Sequence, residues 1–512
     1  MPWHKILTPK PLTALLAVLG GCAFLLFFRL AEMPVFGDET IYIQVGVRAL
    51  HSGHWAPLLA GKSIFAWKPP LAVWGNAAGM ALLGENELGA RLVVGIVGLL
   101  LCALVAHFAW RNGNVWTMLL APLALISAPP LLLEHGLRCA VPEAWLLLAV
   151  TGSFLWHLET AGRNPRVRLA GLTLLSMFSG WTKGIVGPLI VGGTLFLVEL
   201  AAPAGDPPAS ADLPQRLRRA VSTAAAATFP GILFYLGWLL VSFGSVGDTL
   251  HFLQVDLGQR ASSGLDPLHL QPPSVYLRAA LANFGVGALL APLALAAMLA
   301  RDWRLPGEAA DATRRVRLTI LLWIVVVFVL FVLPSSRLSW YVYPAYPALA
   351  LATAFALDEL RRWLRQFRAG PAIFLLGILL LGAFRVQALV RAWPDREPHS
   401  LAALQHRLDA DPAARAYTET ALLRGPGAVD RLPGWHRFYL RRFVLLEQRA
   451  LPADAPACSF VVTTEPGSWT TAVGGRLAGV TGVRGGLSGQ LRLFVLDLCG
   501  GTFSGGAQEG PP

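Results

Sequence analysis

Charge is scarce in this chain. Asp, Glu, Lys and Arg make up 14% of its 512 residues, where a soluble domain carries about a quarter. That shortage excludes an ordinary soluble globular protein. Lysine is rarer still, with five residues in all. Cysteine is equally sparse: the five cysteines form no CxxC and no Cys/His cluster, which excludes a structural zinc site. Cys22, Cys102 and Cys139 lie in or beside apolar runs and read as packing residues. Cys458 and Cys499 lie in the polar C-terminal region and could pair in an oxidising compartment. The net charge is +12, yet no basic stretch is interleaved with a base-stacking platform, so nucleic acid is excluded as a partner. No internal repeat is visible.

What is present is apolar length. Hydrophobic residues are 55% of the chain and the mean hydropathy is +0.55. Many runs reach the roughly 20 residues that cross a bilayer. The fold class expected is an all-α polytopic membrane protein with about 11–13 transmembrane helices. Spans start near residues 11, 88, 116, 140, 169, 184, 222, 277, 318, 341 and 372. The first follows Lys5 and Lys10 and continues past Cys22 to Phe28, which predicts an uncleaved span rather than a signal peptide. The run from Leu71 to Leu83 is too short to cross and predicts a helix along the interface.

The basic loops set the sidedness. Arg166 to Arg168, Arg216 to Arg219, Arg314 to Arg317 and Glu359 to Arg368 alternate with nearly neutral loops. Placing them in the cytoplasm also puts Lys5 and Lys10 inside. Asp38, Lys68, the segment 245–276, the turn at Ser335 to Arg337 and everything after about residue 392 then lie outside. Lys62, Lys68, Lys183, Arg138, Arg260 and Arg337 fall outside too, against the topological bias. As single residues they could cap helix ends or meet lipid headgroups; as a set they point to a shared anionic ligand.

Composition changes after Trp393. The stretches HRFYLRRFVLLEQ, ACSFVVTTE and LRLFVLDLC read as strands. With a helical stretch at Leu401 to Leu408 they predict a small extracytoplasmic α+β domain over 392–499. It follows a transmembrane domain over 1–391, and a disordered tail over 500–512 completes the chain.

The first outer loop, about 31–87, is long for a bundle connection. It opens on Asp38-Glu39. Thr40 to Leu50 then alternates apolar residues with Gln44 and Arg48, as in an amphipathic surface helix. Taken alone, Asp38 could be a cap of that helix. Lys68 comes just before Pro69 and Pro70, which hold the backbone before them away from helix.

Asp38-Glu39, Gly53-His54-Trp55 and Lys68-Pro69-Pro70 with Trp74 resemble the first outer loop of the lipid-dependent membrane glycosyltransferases with the GT-C fold. The resemblance is to the bacterial aminoarabinose transferase (lipid A modifying) and protein O-mannosyltransferase-like group. It extends over about residues 10 to 390. It includes SGWTKGIVGP with Lys183, VDLGQR ending in Arg260, LHLQPPSVYL with His269, and SSRLSWYVYPAYPALAL with Arg337 and Tyr341. HGLRCAVPEAW resembles a third-loop segment that usually carries Asp, here with Glu143 after Pro142. Members near the aminoarabinose transferase have Glu before KPP, where this chain has Trp67.

The resemblance implies a multi-pass enzyme of the bacterial inner membrane, acting as a monomer with its active site on the periplasmic face. Its donor would be a polyprenyl-phosphate sugar and its acceptor a lipid (lipid A-like), a glycan or a protein. A carboxylate would serve as general base, which points to Asp38, with Glu39 orienting the loop or sharing the role. Fixed cations would stabilise the departing phosphate: Lys68 and Arg260 with Tyr341, and as second candidates Arg337 and Lys183. Lys62, Glu143 and His269 would be further substrate contacts. His51 and His54 form no ligand cluster with Asp38, and no metal or other cofactor is expected. A transporter or flippase of lipid-linked sugars is the alternative. It would place its ionisable residues near the midplane of paired halves, and no such halves are visible.

Overall fold

The computed structural model describes residues 9–32, 35, 38–60, 63–201, 213–264, 269–305, 307–392 and five C-terminal strands. Helices dominate. In chain order they are α1 (Pro9–Phe27), α2 (Glu39–Ser52), α3 (Leu71–Leu83), α4 (Glu87–Arg111), α5 (Val115–Ile126), α6 (Pro129–Leu133) and α7 (Glu143–Glu159). Next come α8 (Pro165–Lys183), α9 (Val186–Ala201), α10 (Leu213–Phe243), α11 (Val246–Leu253) and α12 (Gln259–Ser262). The set closes with α13 (Ser274–Phe284), α14 (Gly287–Asp302), α15 (Glu308–Val332), α16 (Tyr346–Leu364) and α17 (Gly370–Ala392). A π-helical turn, Gln254–Gly258, links α11 to α12, and a 3-10 turn, Ser339–Ala345, leads into α16.

Each expected span coincides with a helix or a helix pair. Length divides them. Among the described residues, α4, α10, α15 and α17 are long and apolar enough to cross a bilayer alone, and α13 with α14, bent by 90°, makes a fifth if counted as one span. The parts of α1, α5 and α9 that qualify as apolar are shorter.

Local chemistry explains the boundaries. Asn86 caps α4 by accepting from Gly89 N–H, and Asn114 forms a capping box with Thr117 at the start of α5. Asn164 and then Pro165 open α8. Its last turn ends on Gly184, whose φ of 65° lies in the left-handed region that glycine tolerates. Tight helix packing uses glycine where backbones touch: a Cβ on Gly180 of α8 would lie 2.2 Å from the carbonyl oxygen of Gly231 in α10. The core is one continuous apolar cluster drawn from most of these helices, with Leu101, Phe154, Leu195, Trp323 and Leu349 among its buried members.

Two expectations for the first loop have different outcomes. The amphipathic α2 is present, with Ile43, Val45 and Ala49 buried and Arg48 exposed. The short α3 does not lie on the surface: Ala72, Val73, Gly75, Asn76, Ala77, Gly79 and Met80 are all buried. Its small residues let it pack inside the helical unit, against α4 and α2.

The chain divides into two compact units, Met1–Leu30 with Val45–Trp393 and Ala31–Gln44 with Pro394–Pro512. The second carries a five-stranded sheet of β3 (Thr420–Leu423), β4 (Phe443–Leu446), β5 (Phe460–Thr463), β6 (Arg476–Arg484) and β7 (Gln490–Asp497). β1 (Leu59–Ala60) and β2 (Ser63–Ile64) form a small hairpin in the first loop. The sheet order is β4-β3-β5-β7-β6; β3 runs parallel to β4 and β5, while β7 runs antiparallel to β5 and β6. β4, β5 and β7 fall in the three expected strand stretches; β3 and β6 are additional. The expected helix at 401–408, Cys458, Cys499 and the tail lie outside the described residues.

Candidate active site

Two helix ends and two loops build a charged cluster at one end of the helical unit. The Gly184 cap stops α8 so that Lys183 is its last residue, at the negative end of the helix dipole. Glu143 opens α7 directly after Pro142 and is 2% exposed. Lys183 Nζ donates to Glu143 Oε1 at 2.7 Å. His135 Nδ1 lies 3.5 Å from the same oxygen, and its ring stacks on Trp340 at 4.3 Å. The second Glu143 oxygen is buried without a hydrogen-bond partner.

Tyr341 links this group to Arg260. Lys183 Nζ sits 5.4 Å from the centre of the Tyr341 ring, and Arg260 Nη1 donates to the Tyr341 hydroxyl at 3.0 Å. Arg260 Nε donates to Asp256 Oδ1 at 2.9 Å, one turn back across the π-helical segment. The loop of Arg260 is strapped to the turn before Tyr341. Ser335 N–H donates to the Ala261 carbonyl at 3.2 Å, and Ser336 N–H to the Arg260 carbonyl at 3.0 Å. Arg337 N–H donates to the His269 carbonyl at 2.7 Å, and the His269 ring pairs with Ser336 Oγ at 3.0 Å.

Lys68 completes the cluster. It is half-buried, and its Nζ donates to the Trp67 carbonyl at 3.1 Å. Burial pushes its pKa down to about 8; Arg260 and Lys183 add repulsion that Asp256 and Glu143 only partly offset. Lys68 therefore feels both ion pairs at once. Three cations, Lys68, Lys183 and Arg260, face two carboxylates, Glu143 and Asp256. An anion placed among them would meet one uncompensated positive charge, a planar guanidinium fork and two point-charge ammonium groups.

The structure thus brings together Lys68, Lys183, Arg260, Tyr341 and Glu143, with His269 on the strap beside them. It does not bring in every expected cation. Arg337 is committed to backbone: Nε and Nη2 donate to the Val332 carbonyl at 3.2 and 3.0 Å, and Nη1 to that of Gln271 at 3.1 Å. Arg138 is fully buried and donates to the carbonyls of Leu25 and Phe28 at 2.7 and 2.6 Å, closing the end of α1. Lys62 lies outside the described residues. In the other unit, Asp38 is exposed in the turn before α2 and Glu39, the first residue of α2, is buried. Asp256, His135 and Trp340 were not expected. Asp256 had a signal, since it stands four residues before Arg260; His135 and Trp340 lie in the segments that resemble the family but were not singled out there.

No family model matches the chain. Curated relatives do. The undecaprenyl phosphate-alpha-4-amino-4-deoxy-L-arabinose arabinosyl transferase of Pseudomonas aeruginosa PAO1 is 28% identical over 363 residues, 67% of this chain and 58% of that protein. A second transferase of that name, from Pseudomonas fluorescens Pf0-1, is 28% identical over 71% of this chain and 63% of its own length. The chain thus matches about three fifths of the length of these relatives. Among solved structures, ArnT from Cupriavidus metallidurans bound to undecaprenyl phosphate superposes with a TM-score of 0.60 at 17% identity, covering 98% of this chain and 99% of that one. The chain has the GT-C fold. A second GT-C structure, the Archaeoglobus fulgidus oligosaccharyltransferase tethered to an acceptor peptide, aligns at a TM-score of 0.55 and 14% identity over 86% of this chain and 64% of its own.

Proposed function

We propose that this GT-C chain is a membrane glycosyltransferase that moves a sugar from a polyprenyl-phosphate donor to a lipid A-like lipid, a glycan or a protein. The face is the periplasmic side of a bacterial inner membrane. The observation that carries the reading is the convergence of Lys68, Lys183 and Arg260 on one cluster with a positive surplus. The names of the relatives support the donor class: they are undecaprenyl-phosphate sugar transferases, and one GT-C neighbour holds undecaprenyl phosphate.

The chemistry needs no covalent enzyme intermediate. The acceptor hydroxyl oxygen attacks the anomeric carbon, the bond from that carbon to the phosphate oxygen breaks, and the phosphate leaves with the electron pair. Arg260 and Lys183 stabilise the charge that grows on the leaving phosphate, and Lys68 meets it from the first loop. Tyr341 holds Arg260 in register and donates its own hydroxyl proton as needed. The resemblance alone proposes Asp38 as the group that takes the acceptor proton. Glu143 and Asp256 position the two cations they pair with. Arg337 holds the strap and is left out of the phosphate site.

Radiolabelled sugar transfer from a polyprenyl-phosphate donor by the purified, reconstituted chain tests this directly. Labelled product on an acceptor lipid or protein is expected. Movement of intact donor across the bilayer with no product would replace the transferase by a flippase.

A further inference from the structure

The opposite end of the helical unit carries charges that the transfer reaction does not use. α7 runs from Glu143 to Glu159 and α8 from Pro165 to Lys183, so His157 and Arg168 lie far from the Lys183–Glu143 pair. There His157 is fully buried, with Nε2 at 3.1 Å from Glu199 Oε1. Arg315 Nη1 lies 3.7 Å from the same oxygen. Arg168 lies within electrostatic reach of Glu199, Arg315 and Arg219.

Several other charges at this end are matched. Arg361 pairs with Asp358 at 2.6 Å, Arg301 with Glu359 at 2.6 Å, and Arg317 with Asp302. The set around Arg168 is different. One carboxylate, Glu199, faces Arg315 and Arg168, and Arg219 stands within electrostatic reach of Arg168, so the group of three guanidinium groups keeps two positive charges even with His157 uncharged. The Nε groups of Arg168 and of Arg216, one turn before Arg219 on α10, are buried and make no hydrogen bond. Arginine offers donors and no acceptor, so a partner for them must bring acceptors, and a phosphate brings several. Arg168, Arg216 and Arg219 are half-buried, which leaves the outer edge of the group open.

We propose that Arg168, Arg219 and Arg315, with Arg216 at the rim, form a second anion site that takes a phosphate group. Guanidinium forks match phosphate oxygens two at a time. Glu199 does not fill the site: it is 3% exposed and engaged by His157 and Arg315 from within. The phosphate can come from an acidic phospholipid headgroup at this end of the helices or from a soluble phosphate, and the chemistry recognised is the same.

The test uses the full chain in detergent, titrated separately with phosphatidylglycerol, phosphatidylcholine and inorganic pyrophosphate. Melting temperature and lipid retained in native mass spectrometry are read. Phosphatidylglycerol should be retained about tenfold over phosphatidylcholine, and pyrophosphate should compete with it. Protection by pyrophosphate without any lipid preference would assign the site to soluble phosphate. Arg168→Gln with Arg219→Gln should remove the preference, whereas Arg163→Gln with Arg166→Gln, exposed arginines at the same end, should keep it. If the double variant does not fold, Arg216→Gln, which breaks no ion pair, should still weaken retention about threefold. Equal retention of both lipids with no response to pyrophosphate overturns the proposal. So does an undiminished preference in folded Arg168→Gln/Arg219→Gln.

Discussion

The two ends of the helical unit handle charge differently. At the end built from α15 and α16, several pairs are one helical turn apart: Arg314 with Asp311, Arg361 with Asp358, Arg362 with Asp358. Such pairs form as the helix forms and add little beyond it. At the Lys68 end, beside the one-turn pair of Arg260 with Asp256, partners also come from distant segments. Lys183 finds Glu143 forty residues away in sequence, and Arg260 finds Tyr341 eighty-one residues away. Only the assembled fold can hold those groups together. Arg301 with Glu359 bridges distant segments at the first end too, so long-range pairing alone does not make a site; the surplus of one sign is the feature the proposed site adds.

The sharpest way to break this comparison is to remove the base that the site is proposed to serve. Asp38→Asn should lower transfer by at least about 10²-fold, the usual scale for a general base. Binding of polyprenyl phosphate should stay within about twofold, and wild-type turnover would end the assignment. Next in size is loss of one long-range cation. Arg260→Ala or Lys183→Ala should each reduce kcat/KM by about 10²-fold, the scale of removing one fixed transition-state contact. Arg361→Ala at the other end should leave the chemistry of a folded protein unchanged. Equal kinetic losses from both would erase the distinction between the ends.

Lys68 sharpens the comparison through pH. Its pKa in the protein, about 8, lies below the ordinary lysine value of about 10.4. The ammonium is therefore present below about pH 8 and lost above it, unless an anion binds and raises the value. Polyprenyl-phosphate affinity should fall up to about tenfold per pH unit above 8, as measured by calorimetric titration from pH 7 to 10. Lys68→Arg, which stays charged, should flatten that profile. A flat wild-type profile would remove Lys68 from the phosphate site.

The smallest effects should fall on residues that hold the frame. Arg337→Gln leaves the Val332 and Gln271 carbonyls short of donors and should cost about 1–3 kcal/mol of stability. The pH profile of binding should not move. Gly184→Ala forces a left-handed residue against the Tyr235 ring, which a Cβ would approach to 3.2 Å. It should cost about 1–2 kcal/mol and lower activity modestly by shifting Lys183. Thermal melts alongside transfer assays separate the two contributions.

The helix plan was legible because apolar runs must match helices whether or not each one crosses alone. That Lys68, Lys183, Arg260 and Tyr341 lie together was legible through the family resemblance of their segments. The use of Arg138 and Arg337 was not. Both are arginines placed against the topological bias, as Arg260 is, and sequence cannot tell a guanidinium that closes a helix end from one that meets a ligand. The difference lies in which carbonyls packing leaves uncovered. His135 was invisible for a related reason: its partners Glu143 and Trp340 reach it only through tertiary packing. β6 escaped because its three glycine-broken steps, RLAGVTGVR, hide any alternation. β3 escaped because four residues are too few to show one.

The strap from Ser335 and Ser336 to the Arg260 loop has a consequence for biosynthesis. A growing chain that has reached residue 330 already contains Lys68, Lys183 and Arg260. It still lacks the two backbone N–H groups that fix Arg260 and the phenol that Arg260 engages. The proposed phosphate site is therefore completed only once residues 335–341 have been made and inserted. A ribosome-stalled intermediate ending before Ser335 would be a lipid-embedded precursor in which the Arg260 loop is still unstrapped.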